Sequence, residues 1–303
     1  MSLAVLGTVA LDSIKTPSGF RPSILGGSAV HFSMAARLFT KVSLVACIGN
    51  DFPSKYVKFL KEKGVDVNSI CEINGETFHW TGEYKSDFNR AITIDTKIGV
   101  LAEFIPKVSP EVAKADYIFL ANVDPEIQAD FLSKVKNSKV IALDSMNYWI
   151  DNKRKELLKV LKNVDIYTVN EHEAKDLSGE NNLIKAAKSL LKIGPKIIIL
   201  KKGEHGVLMY SKDYVFAMPA YPIEKVIDPT GAGDSFAGGF MGYLNNSKTI
   251  NRSNLVKAIL YGTIIASFNV EGFGVDSTSK LSLEKVNKRI VGFKNIISLK
   301  EDR

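Results

Sequence analysis

The sequence predicts an α/β fold, a largely parallel sheet with helices on its faces. Three observations carry that reading. Short β-rich apolar runs alternate with amphipathic runs of helical period. The 303-residue chain is 45% hydrophobic and 24% charged, the usage of a globular protein and not of a disordered or fibrous one. No repeat, low-complexity stretch or obvious linker interrupts it, so the length fits one large α/β domain or two smaller units at roughly 100–200 residues each.

Taken in order, Leu3–Gly7 reads as a first strand and Ser28–Phe39 as a helix. Val42–Ile48 is a strand, and Pro53–Lys63 is a helix opened by proline and closed before Gly64. Tyr117–Leu120, Val140–Leu143, Ile166–Val169 and Ile197–Leu200 are further strands with helices between them. The last third is mostly helical, with Gly233–Leu244, Ser253–Phe268 and Leu283–Ile290. One region breaks the alternation. From Glu76 to Phe104 the runs TFHWTGEY, SDFN and RAITIDTK read as consecutive strands with polar turns, and Phe20–Leu25 can join them. A small sheet of this kind buries little alone and should cover a substrate, a second subunit, or both.

Composition excludes several function classes. The net charge of +7 comes from 40 Lys+Arg against 33 Asp+Glu, but the lysines are scattered through helical runs such as KFLKEKG and KRKELLKVLK. That pattern is a solvated surface that favours encounter with anionic substrates, not a nucleic-acid-binding block. No apolar run approaches the roughly 20 residues that cross a bilayer, and MSLAVLGTVALDS lacks the features of a signal peptide. Cys47 and Cys71 are too few for a disulfide scaffold and read as reduced core thiols of a cytoplasmic protein.

The most informative segment is Val226–Phe240, VIDPTGAGDSFAGGF. A strand is expected to end near Ile227, Gly231 and Gly233 permit a tight turn, and a helix of small residues follows. Backbone N–H groups of Gly231, Ala232, Gly233 and Asp234 can then approach an anion at the positive end of the helix dipole. A carboxylate there repels phosphate, so Asp234 makes sense as a general base toward a hydroxyl attacking the phosphorus. The plainer alternative is a helix N-cap. A Walker A loop is excluded because no Lys-Ser/Thr pair follows the glycines. A serine hydrolase built on Asp234-Ser235 lacks its histidine, since none of His31, His79, His172 and His205 lies late in the chain.

DPTGAGDSFAGGF closely resembles the C-terminal signature of the ribokinase-like carbohydrate kinases, the pfkB family. The pair Gly26-Gly27, followed by the helix that carries His31, is similar to the family's N-terminal signature. The resemblance covers nearly the whole chain. It implies a single kinase domain over 1–303, a three-layer α/β/α sandwich with a mostly parallel central sheet, and a small β lid formed mainly by about 76–104 plus about 12–25. It also implies transfer of the γ-phosphoryl of ATP, with Mg²⁺, to the hydroxyl of a sugar or sugar-like molecule. A nucleoside acceptor is the alternative, and a non-catalytic nucleotide-binding protein is the reading from another class.

Residue by residue, Asn170 and Glu173 look like the family's Asn-x-x-Glu element, which organises Mg²⁺, its waters and the nucleotide phosphates; Asn170 could equally be only a cap. Lys201, Gly203 and Gly206 resemble a loop beside the nucleotide, although a bare Gly-x-x-Gly is more often a hairpin turn. Ser267, Asn269 and Gly272 fall where relatives border the adenine. Asp228 and Thr230 match positions that help form a monovalent-cation site, which admits potassium. Asp12 matches the aspartate that binds sugar hydroxyls, with Gly26 and Gly27 allowing close approach and His31 beside them; a loop aspartate in a local turn is the plainer alternative. Many sugar kinases of the family carry Asn at the position of His31, and Lys or Asn at that of Ser28. The arginine of an Asp-x-Asn-x-Arg region is absent from Asp144–Trp149. His31, Phe78, Trp80 and Phe88 add aromatic weight near the acceptor and the lid, where rings can stack on a base or hold the sheet together. The lid edge can also pair two subunits.

Overall fold

A computed structural model describes residues 2–85, 88, 91–136 and 138–298. Its strands are β1 (Leu3–Leu6), β2 (Ala10–Thr16), β3 (Gly19–Gly26), β4 (Val42–Ile48), β5 (Val65–Glu72), β6 (His79–Glu83), β7 (Ile92–Lys97), β8 (Tyr117–Leu120), β9 (Val140–Asp144), β10 (Ile166–Asn170), β11 (Ile197–Lys201), β12 (Val207–Ser211) and β13 (Val215–Met218). Nine of them form one sheet in the order β13-β12-β11-β10-β9-β8-β1-β4-β5. From β5 to β11 every pairing is parallel, and the β12–β13 hairpin closes one edge antiparallel.

The central strands are apolar throughout because both of their faces are covered. Along β1, Leu3 and Val5 enter one core while Ala4 and Leu6 enter the other. The first core takes Phe32, stacked on Phe119 with ring centroids 4.4 Å apart, and the helix Ala232–Ser247 through Phe236 and Phe240. The second takes Tyr167, Phe131 and Leu157. The chain leaves β1 toward β4 on one side and returns at β8 on the other, which opens a crevice at the carboxyl ends of these strands. Asp144, Asn170 and Lys201 are the last residues of β9, β10 and β11, so all three stand at that edge.

The remaining strands make a second sheet in the order β3-β2-β6-β7, with β2 and β6 parallel. Asp12 pairs with Trp80 and Ile14 with Gly82, which puts the Asp12, Ile14 and Trp80 side chains on one face. Ile14, Tyr84 and Phe273 form a small core there, joined by Trp80, Phe88 and Ile227. Among the aromatic residues, Trp80 and Phe88 pack against this small core and Phe78 against the second core of the main sheet.

Several expectations change. Asp12 lies within β2, so the plainer alternative of a loop aspartate in a local turn does not apply. No strand precedes the glycine turn: residues 219–227 are irregular, and the N–H groups of Ile227 and Asp228 bond to Val270 O. That carbonyl belongs to the residue capping the helix Arg252–Asn269, so a helix end replaces a sheet partner. Gly99–Glu103 is a 3-10 turn where strand was expected. The expected SDFN turn falls partly outside the described residues. Cys47 and Cys71 are register partners on β4 and β5, and both are free thiols. Among the described residues no helix is long and apolar enough to cross a membrane.

Candidate active site

The glycine turn is built from its backbone. Asp228 is fully buried and accepts from Thr230 N and Gly274 N at 2.9 Å each. These bonds bend the chain so that Gly231, at φ 71°, becomes the N-cap of the helix Ala232–Ser247. A side chain is excluded there twice over: the φ is left-handed, and a Cβ would lie 2.2 Å from the His31 ring. Asp234 is therefore not the N-cap but the third helical residue, beside donors that have no partner within the helix. The expected anion hole loses one member, because Ala232 N–H donates to Pro229 O at 3.1 Å.

Across from this turn stands a buried charge cluster. Lys201 Nζ bonds to Asp144, and a Cβ placed on Gly233 would be 3.1 Å from the same ammonium. Burial works against the charged lysine, but Asp144, Glu173 and Asp234 outweigh it and raise its pKa. Burial, then Asp144, push Asp234 up to about 7 against a lowering by Lys201. Burial also lifts Glu173 to about 7, with Lys201 opposing. Glu173 and Asn170 form a capping box: Asn170 Oδ1 accepts from Glu173 N, and Glu173 Oε2 accepts from Asn170 N. Asn170 is thus a cap as the plainer reading has it, with its NH₂ group left to donate.

At the other end Asp12 is 4% exposed and pushed up to about 7 by burial, with Asp228 and Asp234 adding to the shift and the Gly27 N–H opposing it. Gly26 packs so close that a Cβ would lie 1.9 Å from Asp12 Oδ2. Thr8 and Ser28 exchange backbone-to-hydroxyl bonds of 3.1 and 2.9 Å, tying the end of β1 to the helix Ser28–Ala36. From the small sheet, Tyr84 reaches into the cleft, where its hydroxyl accepts from Thr230 Oγ1 at 3.3 Å.

A cavity of about 950 Å³ adjoins the turn and is lined by Lys201, Gly203, Gly206, Gly233 and Ser267 among others. Gly203 and Gly206 close the β11–β12 hairpin, as the plainer reading has it, and they also border the cavity. Three expected positions lie elsewhere. His31 is 1% exposed and turns toward Gly231 and Asn269, not toward Asp12. Asn269 is fully buried behind the turn, bonded to His31, Ser235 and Thr230 O. Gly272 follows it in the next turn, against Ser277. Neither Asn269 nor Gly272 lines the cavity, because the helix Arg252–Asn269 presents its previous turn to it through Thr263, Ala266 and Ser267. Sequence reasoning left two residues out of the site. Asp144 sits in a segment singled out for its missing arginine, and its strand-end position was the available signal. Tyr84 had no signal, since only the parallel β2–β6 pairing carries it over Thr230.

Among the described residues no three His, Cys, Asp or Glu side chains make a dedicated metal cage. The cluster instead suits a divalent cation that arrives with phosphates: Asp144, Glu173 and Asp234 are three carboxyls facing one ammonium, a deficit of positive charge.

A parallel sheet whose edge sets a glycine-turned helix N-terminus opposite buried carboxyls is the architecture of a small-molecule kinase. The chain belongs to the pfkB family of carbohydrate kinases, whose model matches residues 9–281. It is a phosphotransferase with an alcohol group as acceptor. It is 32% identical to the cytidine kinase of Thermococcus kodakarensis over 246 residues, 80% of this chain and 87% of that protein. The nucleoside kinase of Methanocaldococcus jannaschii is 26% identical over 280 residues, 92% and 88% of the two chains. An Escherichia coli protein solved with ATP and Mg²⁺ shares the fold at a TM-score of 0.80 and 20% identity, covering 96% of this chain and 99% of that one.

Proposed function

We propose that the chain is an ATP- and Mg²⁺-dependent kinase that phosphorylates a ribose hydroxyl of a nucleoside, working as one unit with the small sheet as its lid. The observation that carries the kinase half is that Asp12 and Lys201 both sense the charge of Asp234 at the glycine turn, with Lys201 beside Gly233. The nucleoside half rests on likeness to a cytidine kinase over four-fifths of the chain and on Trp80 standing next to Asp12 across β2 and β6, where an indole can face a base. A free sugar is the second reading, favoured by the same Asp12, which suits either ribose.

In this reading Asp12 accepts from the acceptor's hydroxyls and fixes its register. Asp234 takes the proton from the attacking hydroxyl as the new O–P bond forms and the bond to the leaving diphosphate breaks. Its pKa near 7 lets it hold that proton at neutral pH. The N–H groups of Gly231 and Gly233, together with the Lys201 ammonium, stabilise charge developing on the phosphoryl oxygens. Asp144 holds Lys201 in place. Mg²⁺ bound with ATP would neutralise phosphate charge, and Glu173 and Asn170 are the residues that would hold it through water. Gly203, Gly206 and Ser267 border the nucleotide's remainder.

A monovalent cation such as K⁺ belongs to the same reading, since Asp228 is a buried carboxylate whose pKa burial raises and Thr230 stands beside it. Cys47 and Cys71 as free thiols suit a cytoplasmic protein. The exposed β7 edge, with Ile92 40% and Ile94 60% exposed, suits pairing of two lids. Sedimentation at micromolar concentration should then give a dimer that Ile94→Asp dissociates; a wild-type monomer refutes the pairing.

The test is a coupled assay of cytidine, uridine, adenosine and inosine against free ribose and hexoses. The expected result is nucleoside turnover with kcat/KM at least about tenfold above any sugar, the discrimination that about 1.4 kcal/mol of base contact supplies. Preference for a free sugar overturns the nucleoside half, and no phosphorylation of any alcohol overturns the whole.

A further inference from the structure

His31 and Asn269 are 238 residues apart in sequence and meet in the core with their side chains 3.1 Å apart. Their hydrogen-bonding roles follow from the neighbours. Asn269 Nδ2 donates to Thr230 O at 2.7 Å, which fixes the orientation of the amide. Asn269 Oδ1 must then be the atom that receives the Ser235 hydroxyl at 2.9 Å and faces His31 Nδ1. A carbonyl oxygen only accepts, so His31 carries its proton on Nδ1. Its Nε2 is buried without a partner among the described residues. An unpaired buried acceptor costs roughly 1–3 kcal/mol, so this imidazole is held for its other nitrogen.

The placement of this pair gives it a task. His31 lies one turn into the helix that begins at Gly27, whose N–H reaches Asp12. Its ring lies flat against Gly231, the N-cap of the catalytic helix. Asn269 holds Thr230 on one side of Gly231 and Ser235 on the other. We propose that His31 and Asn269 form a latch that positions the Gly231–Asp234 turn against the acceptor floor, and that His31 acts as an Nδ1–H donor to Asn269 without touching the acceptor. His31 is in these terms a positioning residue. The kinetic part rests on the kinase reading above; the structural part does not.

The test contrasts two amides in full-length protein. Asparagine at 31 puts an N–H where Nδ1 stands, whereas glutamine puts its amide where Nε2 stands. With ATP and the nucleoside turned over fastest, His31→Asn should keep kcat within about threefold. His31→Gln should lose at least about tenfold in kcat with both KM values within about twofold, since a displaced turn misplaces reacting groups. Equal kcat in the two variants, or a raised acceptor KM with kcat spared, overturns the latch. A variant that fails to fold is covered by the wild type. Long-range ¹H–¹⁵N correlations on ¹⁵N-histidine protein should show the Nδ1-protonated tautomer for His31, and the Nε2-protonated tautomer overturns the proposal. That spectrum is independent of turnover. Undiminished turnover by Asp234→Asn would instead sink the kinase mechanism and leave the latch standing.

Discussion

Asp234 is held between opposing influences: burial and the Asp144 carboxylate disfavour its charge, while Lys201 and its own backbone N–H favour it. Replacing it with asparagine keeps size and hydrogen-bonding shape but removes the basic oxygen. Turnover should fall by about 10²–10⁴, the worth of a positioned general base, with ATP affinity and melting temperature nearly unchanged. Near-normal kcat in the folded variant refutes the role. A residue that bound the metal would instead show lost nucleotide affinity that raised magnesium rescues. A general base works ionised, so under the proposed role kcat/KM should climb as pH rises through about 7 and then level. Asp12 also stands near 7 and senses Asp234, so the apparent value belongs to the set. Asp144→Asn removes a negative charge and frees Lys201 toward Asp234, and both effects move the acid limb to lower pH. A limb shifted upward contradicts the arrangement.

Among the elements, the small sheet is where sequence and structure differ most. The parallel strands were legible because each is buried on both faces and reads as an unbroken apolar run, as in IIIL and LVACI. The glycine signature was legible because a left-handed turn against a ring admits no other residue at 231. The partnership of β2 with β6 was not legible, since it joins Ser13 to His79 across 66 residues with no local signal. The roles of His31 and Asn269 were hidden for the same reason. Tyr84 depends on that partnership, and Tyr84→Phe tests it. The ring keeps its packing on Ile14 and Phe273, so the loss of one hydrogen bond should cost about 1 kcal/mol of stability. If Tyr84 docks the lid on the turn, kcat/KM for the acceptor should fall about fivefold, the kinetic equivalent of that same 1 kcal/mol. Unchanged kinetics would assign Tyr84 to packing alone.

Across the whole molecule, the cleft concentrates carboxyls whose pKa values folding raises: Asp12 and Asp234 from 3.8 to about 7, and Glu173 from 4.5 to about 7. The folded state therefore holds protons that the unfolded chain has already released. The stabilisation is full below pH 4 and is lost as pH rises through 7. His31 opposes them as one group against three: burial lowers it from 6.5 to about 4, so below about pH 6.5 the unfolded chain binds a proton that the folded state refuses. The ligand-free protein should thus melt at a higher temperature at pH 6 than at pH 8, and Asp234→Asn should shrink the difference. A melting temperature that rises with pH contradicts the raised values.

The helix Ala232–Ser247 packs on the helix Ser28–Ala36 through the first core, although about two hundred residues separate them. Contacts of that span form slowly, because a long loop must close before any packing rewards it. A chain emerging from the ribosome can complete the edge from β8 to β11 while Phe32 and Phe119 still lack their cover. Catalytic competence is consequently the last property the polypeptide acquires. In refolding, far-ultraviolet ellipticity should recover well ahead of turnover, and the interval between them is when exposed aromatic surface invites aggregation.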